Sequence, residues 1–320
     1  MSLTNMKVFN AQLQTTTIET LAQMVEKFNA ASAGSLVLTT QGFEGDYRFE
    51  NFFQSLHAAQ RRVDRYATNA AQSATNLEQL QSIGVKVAGG FGPISWEPAQ
   101  LSWVQMNPVA ALEAISRNLA ESIMRDQLNT VIAALVAAIE AQGSATTFDT
   151  GTGPITYNDI NAAHAKFGDS SSLIVADIMD GVAYHNLIDN NLTNTPQLFQ
   201  AAGVTVVEIL GKRVVVTDAP ALRETGTGAD QKVLGLVAGA GIVYDGSQLI
   251  TNIETINGKN RIETTMQADY DFGVALKGYA WDVSTGGKSP TDAELATGAN
   301  WDKVATSIKH TAGVLALANI

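Results

Sequence analysis

Residues 107–142 read NPVAALEAISRNLAESIMRDQLNTVIAALVAAIEAQ. Asn107 is a good N-cap, Pro108 suits the first helical position, and Gly143 ends the pattern. The spacing predicts one helix of about 35 residues, about 50 Å long at 1.5 Å per residue. A typical globular helix is about a third of that. Leu112, Ile115, Leu119, Ile123, Leu128, Ile132, Leu135 and Ile139 form its apolar stripe. Glu113, Arg117, Glu121 and Arg125 step by four along one line, an alternating charge ladder. The first half is therefore expected to be partly wet. The second half, VIAALVAAIEA, is apolar nearly all round and is expected to be buried on several sides. No neighbouring segment offers a second long helix, so the expectation is a rod without a helical partner.

The chain around this rod has 320 residues, 45% hydrophobic and 16% charged, with a net charge of −11. That is enough apolar material for one elaborate domain or two. The charged fraction is below the usual quarter, so many surfaces are uncharged and suited to face other protein. A groove that grips a phosphate backbone wants clustered Lys and Arg. One such cluster exists, Arg61, Arg62 and Arg65 in RRVDR. Direct nucleic-acid recognition is not expected. There is no cysteine, which rules out disulfides, thiolate metal sites and cysteine nucleophiles. The opening MSLTNMKVFNAQLQ has no apolar run behind a basic one, so it does not read as a secretory signal. LNTVIAALVAAI is too short to span a bilayer. The expectation is a soluble cytoplasmic product with no membrane partner.

Residues 1–35 contain a small amphipathic helix, with Thr16 and Glu19 at capping-box spacing, Ile18, Leu21, Ala22, Val25 and Phe28 on one face, and Ser32 to Ser35 ending it. This reads as an arm. Residues 36–100 read as an extended excursion: SLVLTTQ and IGVKVAGGF as strands, FQSLHAAQRRVDRYA as a helix or polar linker. Gly89, Gly90, Gly92 and Pro93 are expected to break the second strand. GPISWEPAQLSWVQM suggests an extended edge segment. Residues 101–155 carry the rod. Residues 156–250 read as a compact α/β unit: a helix with a Thr156–Asp159 cap, a strand at SSLIVADI, a helix at MDGVAYHNLIDNNL, and a hairpin about Gly211–Lys212. KVLGLVAGAGIVYDG reads as one further strand. Residues 251–320 return as two alternating strands, a capped turn at SPTDAELATGANW and a terminal strand, AGVLALANI.

Candidate chemistry is sparse. His57, His164, His185 and His310 have no metal-ligand spacing. GLVAGAG at Gly235–Gly241 invites a nucleotide-binding reading, but the residues after Gly241 read as strand, so the phosphate-holding helix N-terminus is missing. Asp269 and Asp271 on a strand, and Asp177 and Asp180 on a helix, are carboxylate pairs able to share a cation, yet neither has a further acid or histidine beside it. Asn191–Thr193 matches a glycosylation pattern without a secretory context. No cofactor, metal or catalytic residue is expected. Phe49, Phe52, Phe53, Trp96 and Trp103 are unusual for a solvated excursion. They and Arg61, Arg62 and Arg65 are the candidate contacts to other copies of the chain.

The order of parts resembles the major capsid protein of tailed bacteriophages, a shell fold shared with encapsulins and the herpesvirus capsid floor. Four stretches carry the likeness. KFGDSSSLIVADIMDGVAYHNLIDNNL and GVTVVEILGKRVVVTDAPAL resemble the axial domain of that family, VLGLVAGAGIVYDG its central strand, and DFGVALKGYAWDV with SPTDAELATGANWDKVATSIKHTAGVLALAN the C-terminal part of one subgroup. The resemblance implies an α+β shell fold with an N-terminal arm, extended β-loop, spine helix, peripheral domain and axial domain.

It also implies self-assembly as pentamers and hexamers into an icosahedral shell. That shell would enclose double-stranded DNA without sequence-specific binding, beside a portal protein and a scaffold or decoration protein. The place would be the virion, with assembly in the host cytoplasm. Two other roles are an encapsulin-type compartment and an α/β nucleotide-binding enzyme. Replacing Trp96 and Trp103 by alanine is expected to block assembly or weaken shells while the monomer still folds.

Overall fold

A computed structural model describes residues 3–53, 60–69, 71, 73–74, 79–97, 108–194, 207–209, 211–224, 230–258 and 260–319. The rod is helix α2, Pro108–Glu140, 33 residues long. It is not unpartnered. Helix α1, Leu3–Ala31, is nearly as long and packs along it. The Thr16–Glu19 spacing is therefore not a cap. Thr17 and Thr20 donate their hydroxyls back to the Leu13 and Thr16 carbonyls inside the helix. Tertiary packing overrides the local signal: Leu13 is fully buried and Gln14 donates to the Leu249 carbonyl. The helix ends where Ala33 and Gly34 both adopt positive φ.

Two sheets flank the rod. The first has five strands: β1 (Leu36–Gly42), β2 (Tyr47–Phe53), β3 (Gln79–Trp96), β9 (Gly241–Ile256) and β10 (Glu263–Leu276). Their order is β1-β9-β10-β3-β2, parallel only between β1 and β9. Residues 36–53 and 79–97 thus belong to a sheet completed by strands some 200 residues later. The second sheet has six strands: β4 (Thr147–Thr152), β5 (Ile174–Met179), β6 (Val207–Ile209), β7 (Lys212–Val216), β8 (Asp230–Val237) and β13 (Gly313–Asn319). Their order is β4-β13-β8-β5-β7-β6. Helices α3 (Tyr157–Ala165) and α4 (Gly181–Asn194) accompany it. The Thr156–Asp159 capping box is present, and Gly211 turns the β6–β7 hairpin with a positive φ.

KVLGLVAGAGIVYDG is two strands, not one. β8 ends at Val237, and after Ala238–Ala240 the chain starts β9 in the other sheet. The boundary expected at residue 250 falls inside β9. The terminal strand β13 lies between β4 and β8 instead of joining the strands that precede it. The glycines near residue 90 do not break β3. Gly92 and Pro93 sit where the β3–β10 register shifts, and both sides of that bulge stay paired. Residues 60–69, most of them within the stretch expected to be a helix or polar linker, have no regular structure and are exposed.

The second half of α2 is the hub. Val131, Ala134, Leu135, Ala138 and Ile139 are fully buried, and Ile132 nearly so. The helix meets β9, β10 and β13, so it serves both sheets. Two short strands, β11 (Tyr279–Trp281) and β12 (Trp301–Lys303), and two single-turn helices, α5 (Val283–Gly286) and α6 (Asp292–Leu295), close over its end. Trp281 and Trp301 meet edge to face at 4.9 Å, and their ring N–H groups donate to the Gly287 and Leu295 carbonyls. Glu113–Glu140 is long and apolar enough to cross a membrane, which corrects the shorter apolar run read from the sequence. Yet 61% of its most apolar window is buried in the protein's own core, as befits a core helix.

Candidate functional site

The glycine-rich stretch has no room for a nucleotide. A Cβ on Gly241 would lie 2.7 Å from Val131 Cγ2, and one on Gly235 would lie 2.9 Å from His164 Nε2. These glycines let α2 and the His164 ring press against the strands. No helix follows them.

The polar groups of the six-stranded sheet serve that sheet. Asp177 is on β5, not on a helix, and is fully buried. His164 Nε2 lies 2.8 Å from its Oδ1 and ties α3 to the strand. Asp180, just past β5, accepts from Ala183 N–H at the start of α4 and from Gln231 Nε2. The two carboxylates therefore have separate jobs. Lys232, almost buried, meets Glu140 at 2.9 Å and Glu224 at 3.5 Å. Asp271 pairs with Lys86 at 2.7 Å, and Asp269 accepts from Gln267. His185 and His310 are exposed, and His57 lies outside the described residues. Among the described residues no three histidines or acids gather as metal ligands.

The surface is more informative. Phe49 on β2 is 54% exposed, its ring 6.4 Å from that of Tyr47. Phe52, on the other face, is half-buried. Phe53 is paired to Gln79 through the backbone; its side chain lies outside the described residues, as does all of Trp103. Arg61, Arg62 and Arg65 are exposed, and among the described residues none makes an ion pair. Val63 beside them is 65% exposed and Tyr66 93%. The structure does not bring this segment to Trp96.

Trp96 sits elsewhere, at the far end of β3. It is half-buried and rests partly on its own core. With Phe91, Ile94, Ile115, Leu119 and Met266 it lines an open apolar groove of about 300 Å³ between β3, β10 and the first half of α2. Ile94 is 56% exposed there. Helix α1 covers the opposite flank of α2, where Ile123 and Gln127 face Ile18 and Leu21. Periodicity did not single out Ile94 or Met266, because each looks like an ordinary strand residue until the strands are paired.

Phe91, which lines the groove, also touches a polar pair. The Phe91 ring stacks on Tyr270 at 5.4 Å, and Tyr270 donates its hydroxyl to Asp126 at 2.6 Å. Burial pushes the Asp126 carboxyl above the usual aspartate range; the Tyr270 bond pulls it partly back, and the Asp292 carboxylate raises it again. Tyr270 is held far above the ordinary phenol range by burial and by Asp126. The charge ladder Glu113–Arg125 faces solvent on the same half of the rod, with Arg117 and Glu121 paired at 3.1 Å.

The comparisons with known proteins agree on one class. A family model described as Gp13-like, "Major capsid protein 13-like", matches residues 5–315. Among solved structures, one from Microbacterium phage Oxtober96 aligns with a TM-score of 0.54 at 12% identity, covering 91% of this chain and 90% of that one. The cyanophage Pam1 capsid asymmetric unit aligns with a TM-score of 0.53 at 12% identity, covering 89% and 88%. The capsid of Helicobacter pylori bacteriophage KHP30 aligns with a TM-score of 0.50 at 9% identity, covering 89% and 87%. These likenesses show the shell fold. No curated protein matches the chain by sequence.

Proposed function

The chain belongs to the Gp13-like major capsid protein family, and on that premise we propose how it builds a shell. It is a structural subunit of a viral capsid, not an enzyme. The shell is icosahedral, made of pentamers and hexamers of this chain, and encloses double-stranded DNA beside a portal protein. Assembly takes place in the host cytoplasm, with a scaffold or decoration protein as a further partner. Residues 1–35 act as the arm and 36–100 as the extended loop. The rod α2 with β9 and β10 forms the peripheral unit, and the six-stranded sheet with α3 and α4 the axial unit. Phe49, Phe52, Phe53, Arg61, Arg62, Arg65, Trp96 and Trp103 meet neighbouring copies.

The observation that carries this reading is the family match across nearly the whole chain. The exposed aromatic and arginine side chains support it, since a subunit made for a closed lattice leaves apolar surface for its neighbours. The net charge of −11 suits a container whose cargo should not adhere to its wall. Purified full-length chain is expected to form closed shells in negative-stain electron microscopy. Phe49→Ala, at an exposed position, is expected to lower particle yield with the monomer's unfolding midpoint unchanged. Tubes, or a chain that stays monomeric at every concentration and salt tried, would overturn the shell.

A further inference from the structure

We infer that Asn257 is a site of spontaneous covalent change, losing its side-chain amide to attack by the backbone nitrogen of Gly258. The reaction favours an Asn or Asp followed by a residue without a side chain, exposed to water and free to rotate. The sequence offers three such steps: Asp180–Gly181, Asp245–Gly246 and Asn257–Gly258. The structure locks two and leaves the third open.

Asp180–Gly181 is locked by hydrogen bonds. Gly181 opens α4, and its N–H, the group that would have to attack, donates to Asp218 Oδ1 at 3.2 Å. The Asp180 carboxyl, 4% exposed, accepts from Ala183 N–H at 2.9 Å and from Gln231 Nε2 at 3.3 Å. Asp245–Gly246 is locked by the sheet. Asp245 lies across from Phe272 of β10 and Gly42 of β1, and its carbonyl accepts from Phe43 N–H at 2.8 Å. Gly246 is buried so tightly that a Cβ would fall 2.0 Å from Asp271 Oδ1. In both steps, rotating the carboxyl onto the next nitrogen would break those contacts. Each also starts from a carboxylate, a poorer electrophile than an amide.

Asn257–Gly258 differs on every count. The β9–β10 ladder ends at the Ile256–Glu263 pair, so Asn257 is the first residue beyond it. Asn257 and Gly258 are exposed, as are Asn260, Arg261 and Ile262 on the return. Gly258 has φ +95°, and a Cβ there would meet nothing within 4 Å. Among the described residues the Gly258 N–H has no acceptor and the Asn257 amide no hydrogen bond. Exposed tips of small and polar residues are where backbone freedom concentrates.

The step balances with water alone. The Gly258 nitrogen gives its proton to hydroxide and attacks Asn257 Cγ. A C–N bond forms, the Cγ–Nδ2 bond breaks, and ammonia leaves with the proton that water returns. Water then opens the five-membered imide at either carbonyl, giving aspartate or its β-linked isomer. A neutral residue becomes an anion in the stretch NGKNR, which otherwise carries Lys259 and Arg261. A subunit fixed in a shell is not replaced, so, on the shell reading, the change accumulates with the age of the particle.

Purified full-length chain is held folded in mildly alkaline buffer, digested with trypsin and read by tandem mass spectrometry. Trypsin frees residues 233–259 as one peptide, which carries Asp245–Gly246 and Asn252 as internal controls. The expected result is progressive loss of the Asn257 amide, with aspartate and isoaspartate both appearing at 257, faster at each higher pH. Isoaspartate at 245 and amide loss at Asn252 are expected to stay at background. Asn257→Gln, at the same exposed position, is expected to keep its amide. The inference is overturned if the Asn257 amide persists in the folded chain while the urea-unfolded chain loses it. It is equally overturned by amide loss at Asn252 at the same rate, or by aspartate at 257 without its isomer, which marks direct hydrolysis. None of these outcomes bears on whether the chain forms shells, which microscopy tests separately.

Discussion

Asp126 is a half-buried carboxyl that accepts from a tyrosine and feels the Asp292 carboxylate. Held above its unfolded value, it takes up a proton in the folded chain before the unfolded one. The resulting stabilisation is complete below the unfolded value of 3.8 and is lost as pH rises through the folded value. Urea midpoints of the native chain are therefore expected to gain on those of Asp126→Asn as pH falls from 7 into the acid range above 3.8. Parallel pH profiles would show that Asp126 carries no such proton. Gly241 is constrained by contact instead of charge. An alanine there would press on Val131, Leu135 and Leu36. Gly241→Ala is expected to cost about 1–3 kcal/mol, read as a lowered denaturation midpoint. Neither effect is legible in sequence. Asp126 reads as an ordinary polar position of a helix, and Gly241 as part of a nucleotide motif. Their partners lie far away in the chain, on β10, α6 and α2.

At the scale of elements, α2 carries a contrast that its sequence already contains. Its first half alternates charges by four, and its second half is apolar all round. The structure exposes Glu113, Arg117, Glu121 and Arg125 and buries Ile132 and Leu135. Leu135→Ala is expected to cost about 2–5 kcal/mol, since the cavity would open between α2 and both sheets. Arg117→Ala should stay within about 0.5 kcal/mol, because the Arg117–Glu121 pair is mostly solvated. Chemical denaturation of the two variants side by side checks both. Helix α1 shows the reverse case. Its first turns lack a clear stripe, and Thr16–Glu19 imitates a start. Packing along α2 extends the helix through that signal. The break expected in β3 failed for a related reason: paired strands absorb Gly92 and Pro93 in a bulge that an isolated strand would not tolerate.

At the scale of the molecule, the last strand closes the fold. β13 sits between β4 and β8, with Gly313–Ala316 and Ala318 buried or nearly so. Removing residues 313–320 is expected to abolish cooperative unfolding, observed by circular dichroism, because β4 would lose its partner strand and β8 one of its two. A truncated chain with an intact unfolding transition would contradict this placement. The sequence by itself determined the rod and its two faces, most strands, the α3 and α6 caps, the absence of cysteine chemistry and the acidic balance. Each depends on residues within a turn or two of one another, or on composition. Only the tertiary structure decided that α1 pairs with α2, that β8 and β9 belong to different sheets, and that β13 enters the six-stranded one. It alone opened the groove at Ile94 and Trp96 and set Asp126 against Tyr270. Those outcomes depend on contacts between residues far apart in the chain, and local periodicity says which face is apolar but not what will cover it.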